Sequence, residues 1–194
     1  MTTDFKIVEE PKKPISMHPK KFAMWIFLAT VVMVFASLTS AYIVRRAEGN
    51  WVLFDLPDIF YYTTVIIILS SITMQWAFFA AKKDNITQVK LMICITLILG
   101  LLFLVGQYIG WWIEMPKQGI HFVGNPSGSF VIVLILVHGA HLLGAITFLI
   151  IVLASAIKLQ VHSKKMAQIE MCATFWHFLG GLWLYLFVFL ILNR

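Results

Sequence analysis

Five long apolar stretches dominate this chain: Phe22–Val44, Ile59–Ala81, Val89–Ile113, Ser129–Ile157 and Ile169–Leu192. A helix needs about 20 mostly apolar residues to cross a hydrocarbon core about 30 Å thick, at about 1.5 Å per residue. Each stretch meets that length, and the fourth exceeds it, so that it must tilt or protrude. None alternates with a period of two, which excludes a transmembrane β-barrel. Lipid offers no hydrogen bonds to bare backbone, so the stretches must be helical. The expected fold is an all-α, polytopic membrane bundle of five transmembrane helices over residues 22–194, preceded by a polar tail over residues 1–21.

Composition agrees with this reading. The chain is 60% apolar and 12% charged, against about 45–50% and about 25% in soluble domains. Its 16 Phe and 7 Trp exclude disorder, which requires low hydrophobicity. Cys94 and Cys172 are 78 positions apart and form no CxxC, so no disulfide framework follows. Both are expected to be small buried apolar residues, and the nine Met to fill gaps.

Lys and Arg counts on alternate connections set the orientation. Eleven fall on one side: Lys6, Lys12, Lys13, Lys20 and Lys21 in the tail, Lys82, Lys83 and Lys90 in the second connection, and Lys158, Lys164 and Lys165 in the fourth. Four, namely Arg45, Arg46, Lys117 and Arg194, fall on the other. The N-terminus is therefore expected in the cytoplasm and the C-terminus outside. The net charge of +6 is spent on topology and calls for no nucleic acid. The tail carries Pro11, Pro14 and Pro19 and lacks the short apolar core of a secretory signal. The first stretch is longer than such a core and should remain as an anchor. Connections of roughly 10–15 residues are too short to fold a domain. Trp51, Trp111 and Trp112 are expected at the outer boundary, where indoles suit the headgroup layer. Asn85-Ile86-Thr87 matches a glycosylation sequon, but on a connection expected in the cytoplasm.

Polar side chains at membrane depth are costly, and each is a candidate for function. Here they are Gln107, His138, His141, Glu170 and His177. His138 and His141 are three apart and share a face of the fourth helix; Glu170 and His177, two turns apart, share a face of the fifth. Trp176 precedes His177, and Gly180-Gly181 follow it, permitting close helix approach. Haem ligation needs imidazoles from facing helices, so His177 would have to partner one of the other two. Imidazoles between helices more often serve as hydrogen-bonded packing groups. A carboxylate-bridged di-iron bundle needs more Glu than the one present. A proton relay through Glu170 is a further reading, but a carboxylate at a helix start also complements the dipole and reaches water. A transporter would be larger, with repeated halves, and a channel would show an acidic ring or a filter loop. The residues alone lead to a five-helix bundle with a polar cluster and no chemistry of its own, suited to a larger complex. A haem-binding anchor of the cytochrome b kind and a small transporter remain as alternatives.

The polar cluster also carries a resemblance. His138-Gly139-Ala140-His141, with Leu142-Leu143-Gly144 and Thr147-Phe148-Leu149-Ile150, resembles the His-Gly-x-His-x-x-x-Gly segment of subunit III of haem–copper oxidases. Glu170 with Phe175-Trp176-His177-Phe178 and Trp183-Leu184 is similar to that family's last helix. Phe103-Leu104-Val105-Gly106-Gln107 resembles the end of the helix before the two-histidine helix, and Trp25-Ile26-Phe27-Leu28 through Ser40-Ala41-Tyr42 the helix that opens the five-helix core. There are two departures. Val31 stands where the long form has a Glu, and Gly180 where an Asp often follows the last-helix His. Five spans instead of seven match the short form lacking the first two helices, which puts the lipid-filled cleft made with those helices in doubt.

The resemblance implies a non-catalytic subunit with no haem, copper or other metal of its own. Haem and copper lie in partner subunits, and phospholipid is bound. Subunit I, which reduces oxygen and pumps protons, is the main partner. Subunit II, other oxidase subunits, membrane lipids and, in the widest reading, a respiratory supercomplex complete the set. The implied role is support of assembly and sustained turnover in a bacterial inner (plasma) membrane cytochrome c oxidase, with a quinol oxidase as the alternative. His138, His141, Glu170 and His177 would then bind one another across the fourth and fifth helices. Unpaired, each would cost about 1–3 kcal/mol.

Overall fold

A computed structural model describes residues 19–47, 49, 51, 55–117, 126–158 and 166–193. Among these are five helices long and apolar enough to cross a membrane: α1 (Pro19–Ala47), α2 (Ile59–Lys82), α3 (Ile86–Lys117), α4 (Pro126–Ile157) and α5 (Ala167–Asn193). No strand occurs among the described residues. The first span begins at Pro19, a residue suited to a helix start because it has no N–H to leave unpaired. Residues 1–18 of the expected tail, with Lys164, Lys165 and Arg194, lie outside the described residues. α4, at 32 residues, is about 48 Å long and exceeds the bilayer core, as its sequence requires.

α2 and α3 form a hairpin whose connection is much tighter than the expected 10–15 residues. Only Lys83, Asp84 and Asn85 separate the helices. Asp84 takes a left-handed conformation at φ 53°, which Asp tolerates better than most side chains. The Asn85 side chain then accepts the Gln88 N–H at 3.2 Å and caps α3, so the residues of the sequon match perform a turn and a cap. Near its far end α3 widens into a π turn over Gly110–Glu114. There Gly110 lies against the Phe60 ring, where any larger side chain would collide.

α5 packs on α1, α2 and α4, and α3 bridges α2 to α4. Thirteen of its residues are buried, among them Trp176, Leu179, Trp183 and Leu186. α1 buries only Leu28, Val31, Phe35, Thr39 and Tyr42, a single stripe at spacings of three and four. Val31, in place of the long form's acid, is 2% exposed and sits in that stripe. Cys172 is buried, but Cys94 faces outward, contrary to expectation. Lipid tolerates a thiol as a small apolar group, so the outward face of α3 imposes no penalty on it.

Candidate functional site

The polar groups at membrane depth converge on α2. Trp176 Nε1 donates to Ser70 Oγ at 2.8 Å, and Trp183 Nε1 to Thr64 Oγ1 at 3.1 Å. The indoles are seven residues apart on α5 and their acceptors six apart on α2, in reversed order, as two antiparallel helices require. His177 Nε2 meets Gln75 Oε1 at 3.0 Å. From α3, Gln107 Nε2 donates to Thr63 Oγ1 at 3.1 Å, and Thr96 shares a 2.8 Å bond with Thr73. Two or more hydrogen bonds thus join α2 to each of α3 and α5.

The five residues singled out from the sequence do not form one cluster. Gln107, 7% exposed, also accepts the Trp111 Nε1 proton at 3.0 Å across the π turn. Trp111 is therefore buried against Phe60, ring centroids 4.6 Å apart, and turns its indole into the bundle, whereas Trp112 remains exposed. His141 Nδ1 lies 2.7 Å from the Val137 carbonyl of its own helix, and its ring packs between Phe27 and Phe35 of α1. His138 is 2% exposed in an aromatic cage: Trp183, Phe35 and Phe103 stand 5.6, 6.3 and 6.4 Å away between ring centroids. Its Nδ1 has no hydrogen-bond partner among the described residues.

Glu170 binds neither histidine. Its carboxylate takes a 2.7 Å ion pair from Lys21 and ties the first turn of α5 to the first turn of α1. The expected mutual network of His138, His141, Glu170 and His177 is thus replaced by separate ties from each helix to a neighbour or to itself. The reason is geometric. His177 meets Gln75 of α2, whereas His141 packs on Phe27 and Phe35 of α1 and His138 lies among Phe35, Phe103 and Trp183.

What the sequence reading missed is the accepting side: Thr63, Thr64, Ser70, Thr73 and Gln75 of α2. Two signals pointed there. The indoles of Trp176 and Trp183 need acceptors once buried, and α2 holds more hydroxyls than any neighbouring span.

Further ties hold α1. Thr39 shares a 2.9 Å bond with the Tyr185 hydroxyl, and the Tyr42 hydroxyl donates to the Asn193 carbonyl at 3.1 Å. Tyr42 also packs edge-on against Trp51 and Phe189 at 4.6 and 5.1 Å. Among the described residues no three His, Cys, Asp or Glu side chains come together as a metal site. The arrangement can lock helices together; nothing in it positions a nucleophile, a base and a substrate pocket around one another.

Comparison with known proteins matches this architecture to one family. The sequence model of cytochrome c oxidase subunit III matches residues 12–193. Cytochrome c oxidase subunit 3 of Corynebacterium diphtheriae is 28% identical over 172 residues, covering 84% of this chain and 82% of its own. Cytochrome bo(3) ubiquinol oxidase subunit 3 of Buchnera aphidicola subsp. Schizaphis graminum is 28% identical over 191 residues, covering 93% and 97%. A probable quinol oxidase subunit 3 of Staphylococcus saprophyticus is 24% identical over 173 residues, covering 86% and 85%. With nearly the whole chain matched, and five membrane-length helices to carry the match, the chain belongs to the cytochrome c oxidase subunit III family of the haem–copper oxidases.

Proposed function

We propose that this subunit supports assembly and sustained, proton-coupled oxygen reduction by subunit I in a bacterial inner-membrane cytochrome c oxidase, with its N-terminal end in the cytoplasm. Haem and copper belong to the partner subunits, and the electron path runs outside this chain. The observation that carries the reading is the family match over residues 12–193 on a bundle whose Trp176, Trp183, Gln107 and His177 spend hydrogen bonds on neighbouring helices. Such groups serve a rigid scaffold. The lysine-rich helix ends, with Lys20, Lys21, Lys82, Lys83, Lys90 and Lys158 on one side, support the orientation.

A quinol oxidase is the second reading, since relatives of both printed names match at similar identity. The test is purification of the tagged chain in mild detergent, with the visible spectrum and subunit masses read before and after stripping partners. Haem that copurifies with the complex and leaves with a large oxidase subunit supports the proposal. A Soret band kept by the isolated chain would sink it. Oxygen uptake with reduced cytochrome c or with a quinol then distinguishes the donors. Complexes lacking this chain should start at normal rates and lose activity over successive turnovers; unchanged endurance argues against the supporting role.

A further inference from the structure

Between α1 and α4, closed at the back by α5, lies a notch of about 440 Å³. Met24 and Phe27 line it from α1, His141, Gly144 and Phe148 from α4, and Phe175 from α5. His141 stands about 22 Å along α4, near the middle of the span. Every side chain on the notch except this imidazole is apolar.

The hydrogen bond that His141 already makes fixes its chemistry. The Val137 carbonyl, 2.7 Å away, can only accept, so Nδ1 carries the proton. A charged ring is costly at membrane depth, and the neutral ring leaves Nε2 as a bare acceptor. Because Nδ1 is turned to the backbone of α4, Nε2 on the far edge of the ring points away from that helix, toward the notch. No donor reaches it among the described residues. Its ring neighbours on α1, Phe27 and Phe35, have no O–H or N–H to give, at centroid distances of 6.1 and 5.9 Å.

The walls describe the rest of the occupant. Phe27 and Phe175 meet edge to face at 5.7 Å, and Phe148 stands one helical turn beyond Gly144. A Cβ built on Gly144 meets nothing of this chain within 4 Å. A helical glycine costs about 1 kcal/mol against alanine, and no neighbour in the chain accounts for it here. We propose that this notch binds a lipophilic phenol, its hydroxyl donating to His141 Nε2, its ring among Phe27, Phe148 and Phe175 over Gly144, and its tail running out into the bilayer. Hydrogen-bond complementarity selects this occupant. An acyl chain has no donor and leaves the imidazole unsatisfied. An aliphatic alcohol has the donor but forgoes the aromatic contacts. A whole helix, about 10 Å across, cannot enter between α1 and α4, which already pack on each other. The occupant touches α1, α4 and α5 together, so it adds a ligand to the supporting role proposed above.

The test uses the whole oxidase complex in detergent and an alkylphenol carrying a diazirine on its tail. Irradiation should label peptides of α1 and α4 that hold Phe27 or Phe148. Added 4-decylphenol should displace the label, whereas 4-decylanisole, the same body with its hydroxyl methylated, should compete about fivefold less well, the value of one ordinary hydrogen bond. With one hydroxyl the probe cannot be consumed as a quinol, so binding is read apart from turnover. His141→Phe keeps a ring and removes the acceptor; it should bring 4-decylphenol down to the level of 4-decylanisole. Gly144→Leu should abolish labelling, whereas Gly139→Leu, at another glycine with open space around it, should not. Labelling elsewhere on the chain overturns the proposal, and so does equal competition by the two compounds in the parent. A preference for the phenol that survives in His141→Phe overturns it too. Loss of the Gly144→Leu subunit from the complex assigns the notch to a side chain of a partner subunit and overturns it as well.

Discussion

Two seams meet on α5, and they are built differently. The seam with α2 is buried along its length and stitched by two indole–hydroxyl bonds, with Trp183 also packed against Phe60 and Phe103. The seam with α1 rests on a narrow stripe and is fastened near its ends, by the half-exposed Lys21–Glu170 pair on one side and by Tyr42 and Arg46 on Asn193 at the other. In a membrane, helices gain little from hydrophobic burial against each other, because lipid is equally apolar; packing and hydrogen bonds decide. The α2 seam uses both along most of the span. The α1 seam uses them in places, so α1 is the helix that should move, exchange and detach first.

The largest effect should come from Trp183→Ala. It empties the cage around His138 and leaves the Thr64 hydroxyl without its donor, at a cost of about 3–5 kcal/mol. Thermal unfolding of the purified complex in detergent, followed by this subunit's release, reads it. Tyr185→Phe on the α1 seam removes one hydroxyl partner of Thr39, which retains the Phe35 carbonyl at 2.9 Å. It should cost about 0.6 kcal/mol, the average for an interhelical bond in a membrane. Equal losses from the two variants would erase the contrast between the seams.

Next comes Gly100→Ala, on α3 behind the same indoles. Its Cβ would sit 2.7 Å from the Trp176 ring, so either the ring or α3 must shift. Overpacking of this kind costs about 1–3 kcal/mol. If the clash is the cause, Trp176→Phe should relieve part of it in the double variant. Additive losses would mean that Gly100 serves backbone flexibility instead. A cycle of Trp176→Phe with Ser70→Ala sharpens the comparison, with a coupling of about 0.6 and at most about 1.7 kcal/mol expected.

How much of this was legible from the residues follows from what a membrane does to sequence signals. The five spans stood out because length and apolarity are set by the bilayer itself. Which face of each helix packs inward did not, because lipid-facing and core-facing sides are both apolar. That is why Cys94 was placed on the wrong side. The general habit of indoles near span ends suggests a Trp111 turned outward to the headgroups; the structure turns it inward and spends its N–H on Gln107, four residues back. The acceptors on α2 were hidden for another reason. Thr64 already reaches its own helix's Phe60 carbonyl at 2.7 Å, so a single hydroxyl in a helix looks satisfied, and only the hydroxyl content of α2 taken with the buried indoles points to the pairing. His177 and Glu170 were legible as polar groups at depth, but their partners, Gln75 and Lys21, depend on which helices are neighbours, and no spacing along one span contains that.

The smallest effect tests the weak end of the α1 seam. The Lys21–Glu170 pair is short, but its side chains are 31% and 42% exposed, so solvent and salt screen it. Lys21→Met or Glu170→Gln should therefore cost about 0.2–0.5 kcal/mol. The difference from the parent should shrink as salt is raised, because the interaction lost is itself screened. Its location is the sharper signature. Amide exchange should quicken in the first turns of α1 and stay unchanged around Trp183, whose hydrogen bond lies on the opposite side of α5. Exchange that quickens throughout α5 would mean that the two seams open together, and the bundle would then be one cooperative unit without a loosely held first helix.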